Sequence, residues 1–112
     1  MGNIEINIAK DFSRCPSARY RTEGDYSGEE FRETLLAPKL NEAIEKHCQL
    51  IIVLDGAAGY STSFLEESFG GLIRHDNFTL EDLKCIRIIS NEDPSYIDDI
   101  KSYWEHAAIH SK

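Results

Sequence analysis

At 112 residues, with 41% hydrophobic and 29% charged side chains, the chain has the composition of one globular domain spanning residues 1–112 rather than of a disordered segment. Its formal net charge of −8 repels nucleic acid and anionic membrane surfaces. The one basic concentration, Arg14, Arg19 and Arg21, shares its segment with Glu23 and Asp25 and is too sparse for a nucleic-acid footprint.

Cys15, Cys48 and Cys85 are odd in number and lack C-x-x-C spacing. They define neither a disulfide framework nor a metal site and fit a reducing compartment. The start, Met1 to Glu5, has no signal-peptide pattern, and no apolar run approaches membrane-spanning length. A soluble, cytoplasmic protein is expected.

In chain order, Ile4, Ile6 and Ile8 alternate with Glu5 and Asn7, which predicts a strand with one wet face. Ala18 to Thr22 reads as a short edge strand among turn formers. Ser27-Gly-Glu-Glu30 is a capping box, opening a helix with Phe31, Leu35, Leu40, Ala43 and Ile44 on one side and ending near His47. Pro38 is expected to kink or divide it, because proline lacks an N–H and clashes one turn back.

Leu50 to Leu54 is wholly apolar and short, the pattern of a strand buried on both faces. A small-residue loop, Asp55 to Gly59, leads to Ser61, Thr62 and Ser63, after which Phe64, Leu65, Phe69, Leu72 and Ile73 recur at helical spacing. Ser63 and Glu66 read as a second capping box, and the helix ends at His75-Asp-Asn77. Phe78 to Leu83 suggests a short helix capped by Thr79, Lys84 to Ser90 a strand, and Asp93-Pro94 the start of a last helix. Its apolar face carries Tyr96, Ile97, Ile100, Tyr103, Trp104 and Ala107.

Alternating strands and helices imply α/β architecture with right-handed crossovers. Ligands of such sheets gather at the carboxyl ends of the strands, where the hydroxyl cluster Ser61, Thr62 and Ser63 falls. Free N–H groups at the helix start and the helix dipole favour an anion there. The cluster therefore reads either as plain helix capping or as a site for phosphate, in the form of a phosphorylated side chain or a bound phosphate, sulphate or nucleotide. Gly70-Gly71 interrupts the predicted helix, either for close packing or as a flat patch for a partner.

Other chemistry is weaker. Gly59-Tyr-Ser-Thr-Ser63 approaches the G-x-S-x-G nucleophile elbow but ends in Ser63, after too long a loop. His106 and His110 stand at i, i+4, a metal-ligand spacing, without an evident third ligand. No phosphate-binding G-x-x-x-x-G-K-[ST] loop occurs. No cofactor and no metal is expected.

The block Asp55-Gly-Ala-Ala-Gly-Tyr-Ser-Thr-Ser-Phe-Leu-Glu-Glu-Ser-Phe-Gly-Gly-Leu72, with Tyr26-Ser-Gly-Glu-Glu-Phe31 upstream, resembles the STAS-like domain family of unknown function. These are small bacterial proteins related to the sulphate-transporter and anti-sigma-factor-antagonist domains. The resemblance implies an α/β, STAS-like sheet with helices packed mainly on one face and no enzymatic activity. It implies a regulatory role and a protein partner, a histidine-kinase-like ATPase or anti-sigma-type protein.

In the antagonists a serine at the start of the helix after the central strand is phosphorylated by the partner kinase, and binding is then blocked. That position corresponds to Thr62, with Ser63 beside it. This chain has Ser61 where the antagonists carry aspartate, and Ser63-Phe64 where they carry Ser-Gly. The partner surface implied comprises Gly59, Tyr60, Glu66, Glu67, Gly70 and Gly71.

Overall fold

The computed structural model describes residues 2–110. Three strands, β1 (Ile4–Asn7), β2 (Leu50–Val53) and β3 (Ile86–Ile89), form a parallel sheet in the order β1-β2-β3. Ile4 pairs with Leu50 and Leu50 with Ile86, so the four-residue strands are in full register. Parallel neighbours require crossovers. Here these are the helices α2 (residues 28–46) and α3 (residues 62–74), and α4 (Ser95–His110) follows β3.

Strand side chains alternate between faces, and the two faces differ. Ile6, Leu50 and Ile52 are fully buried and share one core with Phe31, Leu36, Leu40, Phe64, Leu65, Phe69, Leu72 and Ile100 from the helices. The helices thus cover one face, as the STAS-like expectation has it, and α3 lies between α2 and α4 in that layer. Ile51, Val53 and Ile89 are only half-buried and pack outside this core. The apolar run of β2 therefore does not mean burial on both faces.

Sequence and structure differ in several elements. β1 stops at Asn7, whose side chain caps a single turn, α1 (Ile8–Asp11), and turns Ile8 into the core. No edge strand forms at Ala18 to Thr22. The carbonyls of Ala18 and Arg19 instead accept from Gly28 and Glu29 N–H, the free donors at the start of α2, and Arg21–Glu23 is a 3₁₀ turn.

Pro38 does not divide α2. Residues Arg32–Leu36 form a wide π turn in which Ala37 N–H reaches back to Arg32 O, and Pro38 follows at the start of the regular stretch Ala37–Lys46. The widened ladder accommodates the missing N–H. His47, left-handed at φ 54°, closes the helix. The short helix expected at Phe78 to Leu83 is a 3₁₀ turn at Asp82–Cys85, entered by reciprocal bonds between Thr79 and Asp82.

Candidate functional site

The hydroxyl cluster lies where the strand order placed it, between the carboxyl end of β2 and the start of α3. Gly59, at φ 150°, turns the loop. Tyr60 then packs against Phe64 and edge-on against Tyr96, and its hydroxyl donates to Leu54 O at 2.6 Å. Burial pushes the Tyr60 phenol far above its usual range, so it remains a neutral donor.

The cap is Ser61, not Ser63. Ser61 Oγ accepts from Phe64 N at 3.0 Å and donates to Ser17 O at 2.6 Å. Both bonds of this hydroxyl go to the backbone. Thr62 is the first residue of α3 and is exposed, with Tyr103 of α4 nearby. Ser63 is half-buried in the first turn.

Beside the cluster opens a cleft of about 220 Å³ lined by Asp55, Gly59, Tyr60, Glu92, Asp93 and Tyr96. The Asp55 carboxylate accepts from Asn91 N and Glu92 N, and Glu92 accepts from Gly56 N at 3.0 Å. These bonds tie the loop after β2 to the loop after β3. The carboxylates also make the cleft beside the helix start acidic, which opposes an anion bound there.

Further along α3 the expected contact surface contracts. Glu67, Gly70 and Gly71 are buried, because α3 is the middle helix of the layer and is covered on both flanks. Glu66, Arg74 and His75 keep access to solvent. Glu66 does not cap the helix; it pairs with Arg74 at 2.7 Å and with Arg19. Burial tends to raise the Glu66 carboxyl, but hydrogen bonds from Arg74 and Arg19 outweigh it and hold the group below its usual 4.5.

Glu67 joins a network absent from the sequence reading. Arg32, at the start of the π turn in α2, reaches Glu67 at 3.3 Å and Asp76 at 2.9 Å, while Arg74 reaches Glu67 at 3.2 Å. The Glu67 side lies within a second π turn, Glu66–Gly70. Gly71 is where Arg32 crosses: a Cβ there would sit 2.6 Å from Arg32 Nε, a buried donor with no acceptor among the described residues. The signal was present in the spacing of five between Phe31 and Leu36 and between Phe64 and Phe69, one residue more than an α turn. Among the described residues no cluster of His, Cys, Asp and Glu is arranged to hold a metal. The rings of His106 and His110 lie 4.3 Å apart, tilted by 42°, near the end of α4.

A one-sided parallel α/β sheet, with its hydroxyl cluster at the carboxyl edge of the central strand, is the frame of a STAS-type domain. Residues 27–96, more than half of the chain, match the family described as a STAS-like domain of unknown function. The chain belongs to that family. STAS-like domains are generally non-enzymatic. No curated protein and no solved structure matches it. No helix among the described residues is long and apolar enough to cross a membrane.

Proposed function

We propose that the protein is a non-enzymatic regulatory module that resembles the anti-sigma factor antagonists. It binds a histidine-kinase-like ATPase or anti-sigma-type protein in the cytoplasm through the loop Gly59–Ser63 and the start of α3. The exposure of Thr62 at the first position of α3, beside a Ser61 wholly engaged in capping, carries this reading. A kinase can reach Thr62 without unfolding the helix. A phosphate there adds about two negative charges to a surface that Gly59, Tyr60 and Glu66 frame.

Glu66 stands one turn away on the same helix face, paired with Arg19 and Arg74, so the added charge changes the balance of a surface that carries both signs. Repulsion of a partner that presents acidic side chains to Arg19 and Arg74 follows from it. Anion binding at the same helix start, the competing reading, has the carboxylates of Asp55, Glu92 and Asp93 against it.

Isothermal titration against a candidate ATPase of the histidine-kinase type tests the reading. Thr62→Asp is expected to weaken binding at least tenfold, with Thr62→Ala near wild type. Equal affinity of both variants overturns the proposal. A thermal shift with phosphate, sulphate or nucleotide that disappears in Ser63→Ala favours the competing reading.

A further inference from the structure

The uncovered face of the sheet supports an inference independent of the partner surface. Residues of odd number in the strands share this face: Glu5 and Asn7 on β1, Ile51 and Val53 on β2, Arg87 and Ile89 on β3. The register aligns them in two rows, Glu5-Ile51-Arg87 and Asn7-Val53-Ile89. Parallel sheets are ordinarily covered on both faces. Here Ile51, Val53 and Ile89 are half-buried, outside the core, with exposed Glu5 and Arg87 on either side of Ile51.

Glu5 and Arg87 are exposed on the two outer strands, and neither forms an ion pair or side-chain hydrogen bond within the described residues. Two strand spacings, about 10 Å, separate their backbones, and Ile51 lies between them. The row is self-complementary. A two-fold axis lying in the face along β2 sets β1 of one copy over β3 of the other. Glu5 then meets the second copy's arginine at position 87, its Arg87 meets the second copy's glutamate at position 5, and Ile51 and Val53 stack on their own counterparts.

An axis in the face but across the strands would set β1 over β1 and β3 over β3, which leaves Glu5 and Arg87 without opposite charges. The charge pattern selects the first axis. Twisted sheets stack this way with strand directions about 30° apart and about 10 Å between layers, and the same patch serves both copies.

We propose that this face is a homodimer interface, formed by a second copy of this chain stacked sheet on sheet about a two-fold axis parallel to β2. The strands alone present about 200 Å², from strand spacing and rise, against about 800 Å² per partner in a standard interface. The dimer is therefore weak, exchanges rapidly and depends on concentration.

Sedimentation velocity over a concentration series up to about millimolar, where weak pairs assemble, tests it. The mass of the unaltered chain is expected to rise from 12.7 kDa toward twice that value. Glu5→Arg or Arg87→Glu alone is expected to keep it monomeric, and the double exchange to restore association, with far-UV circular dichroism confirming the fold of each. A mass that stays at 12.7 kDa throughout overturns the proposal. So does a double exchange that stays monomeric, or association undiminished in Ile51→Asp. Amide shifts of the unaltered chain on dilution give a reading without substitution: movement centred on residues 5, 51, 53, 87 and 89 supports the interface, and movement elsewhere refutes it.

Discussion

The Glu67 carboxylate and the Arg32 guanidinium meet at 3.3 Å between α2 and α3, with 1% and 4% of their side chains exposed. Removing one partner of a buried pair strands the other, at a cost of about 3–5 kcal/mol. Glu67→Gln leaves Arg32 to Asp76 alone and takes a partner from Arg74. A loss of about 3 kcal/mol in urea denaturation is expected. Arg32→Met combined with Glu67→Met should cost less than the two single losses added, since neither member of the buried pair is then stranded and Asp76, which loses Arg32, keeps access to solvent. A Glu67→Gln variant within about 0.5 kcal/mol of the unaltered chain, the usual range for surface changes, would show that the pair does not hold the helices together.

Gly28 and Gly70 provide a contrast in close packing. A Cβ on Gly28 would lie 2.7 Å from the backbone oxygen of Phe64, an atom fixed in α3. Gly28→Ala is expected to destabilise by about 1–3 kcal/mol. At Gly70 the obstacle is the Glu66 carboxylate, also at 2.7 Å, the end of a flexible side chain. Gly70→Ala should be far milder, because helix propensity returns up to about 1 kcal/mol. Equal effects in thermal unfolding would contradict this difference.

Ser61 and Thr62 are adjacent hydroxyls with separate duties. Ser61→Ala removes the cap of α3 and its bond to Ser17 and should cost about 1 kcal/mol. Thr62→Ala, on an exposed residue, should stay within about 0.5 kcal/mol. The comparison is made by denaturant midpoints at constant slope. A Thr62→Ala loss as large as that of Ser61→Ala would assign Thr62 to the scaffold.

Glu66 links stability to pH. Its carboxyl is held below its ordinary 4.5 in the folded chain, where Arg74 and Arg19 overcome the effect of burial. The unfolded chain then binds more protons in this range, so stability rises with pH there. The contribution is present above about 4.5, the unfolded value, and is lost as pH falls through the lower folded value. Glu66→Gln should flatten the acid limb of the stability curve between about pH 3 and 5. Curves that remain parallel to wild type would deny Glu66 this role.

Much of the frame was legible because periodicity marks it directly. Leu50 to Leu54, the helix from Ser27 to His47 and the apolar face of Ser95–His110 fell where spacing put them. The start of α3 was legible only to within a turn. Ser61, Thr62 and Ser63 can each cap, and the choice of Ser61 rests on Ser17, a residue 44 positions away that accepts its proton. Ala18 to Thr22 has strand propensity, but the unpaired N–H groups of α2 compete for its carbonyls and win. The charged network from Arg32 to Asp76 was not legible as chemistry, since each member alone reads as a solvated face.

The two wide turns have a further consequence for how this gene can change. Each holds one residue more than a regular ladder needs between its flanking buried positions, Phe31 and Leu36 in one, Phe64 and Phe69 in the other. Loss of a single codon inside either turn lets the ladder tighten while both flanks keep their facing. The same loss elsewhere in α2 or α3 swings everything downstream by about 100° and lifts the core side chains off the sheet. Within α2 and α3, tolerance to one-residue deletion should therefore be confined to these two segments, at positions other than Arg32 and Glu67.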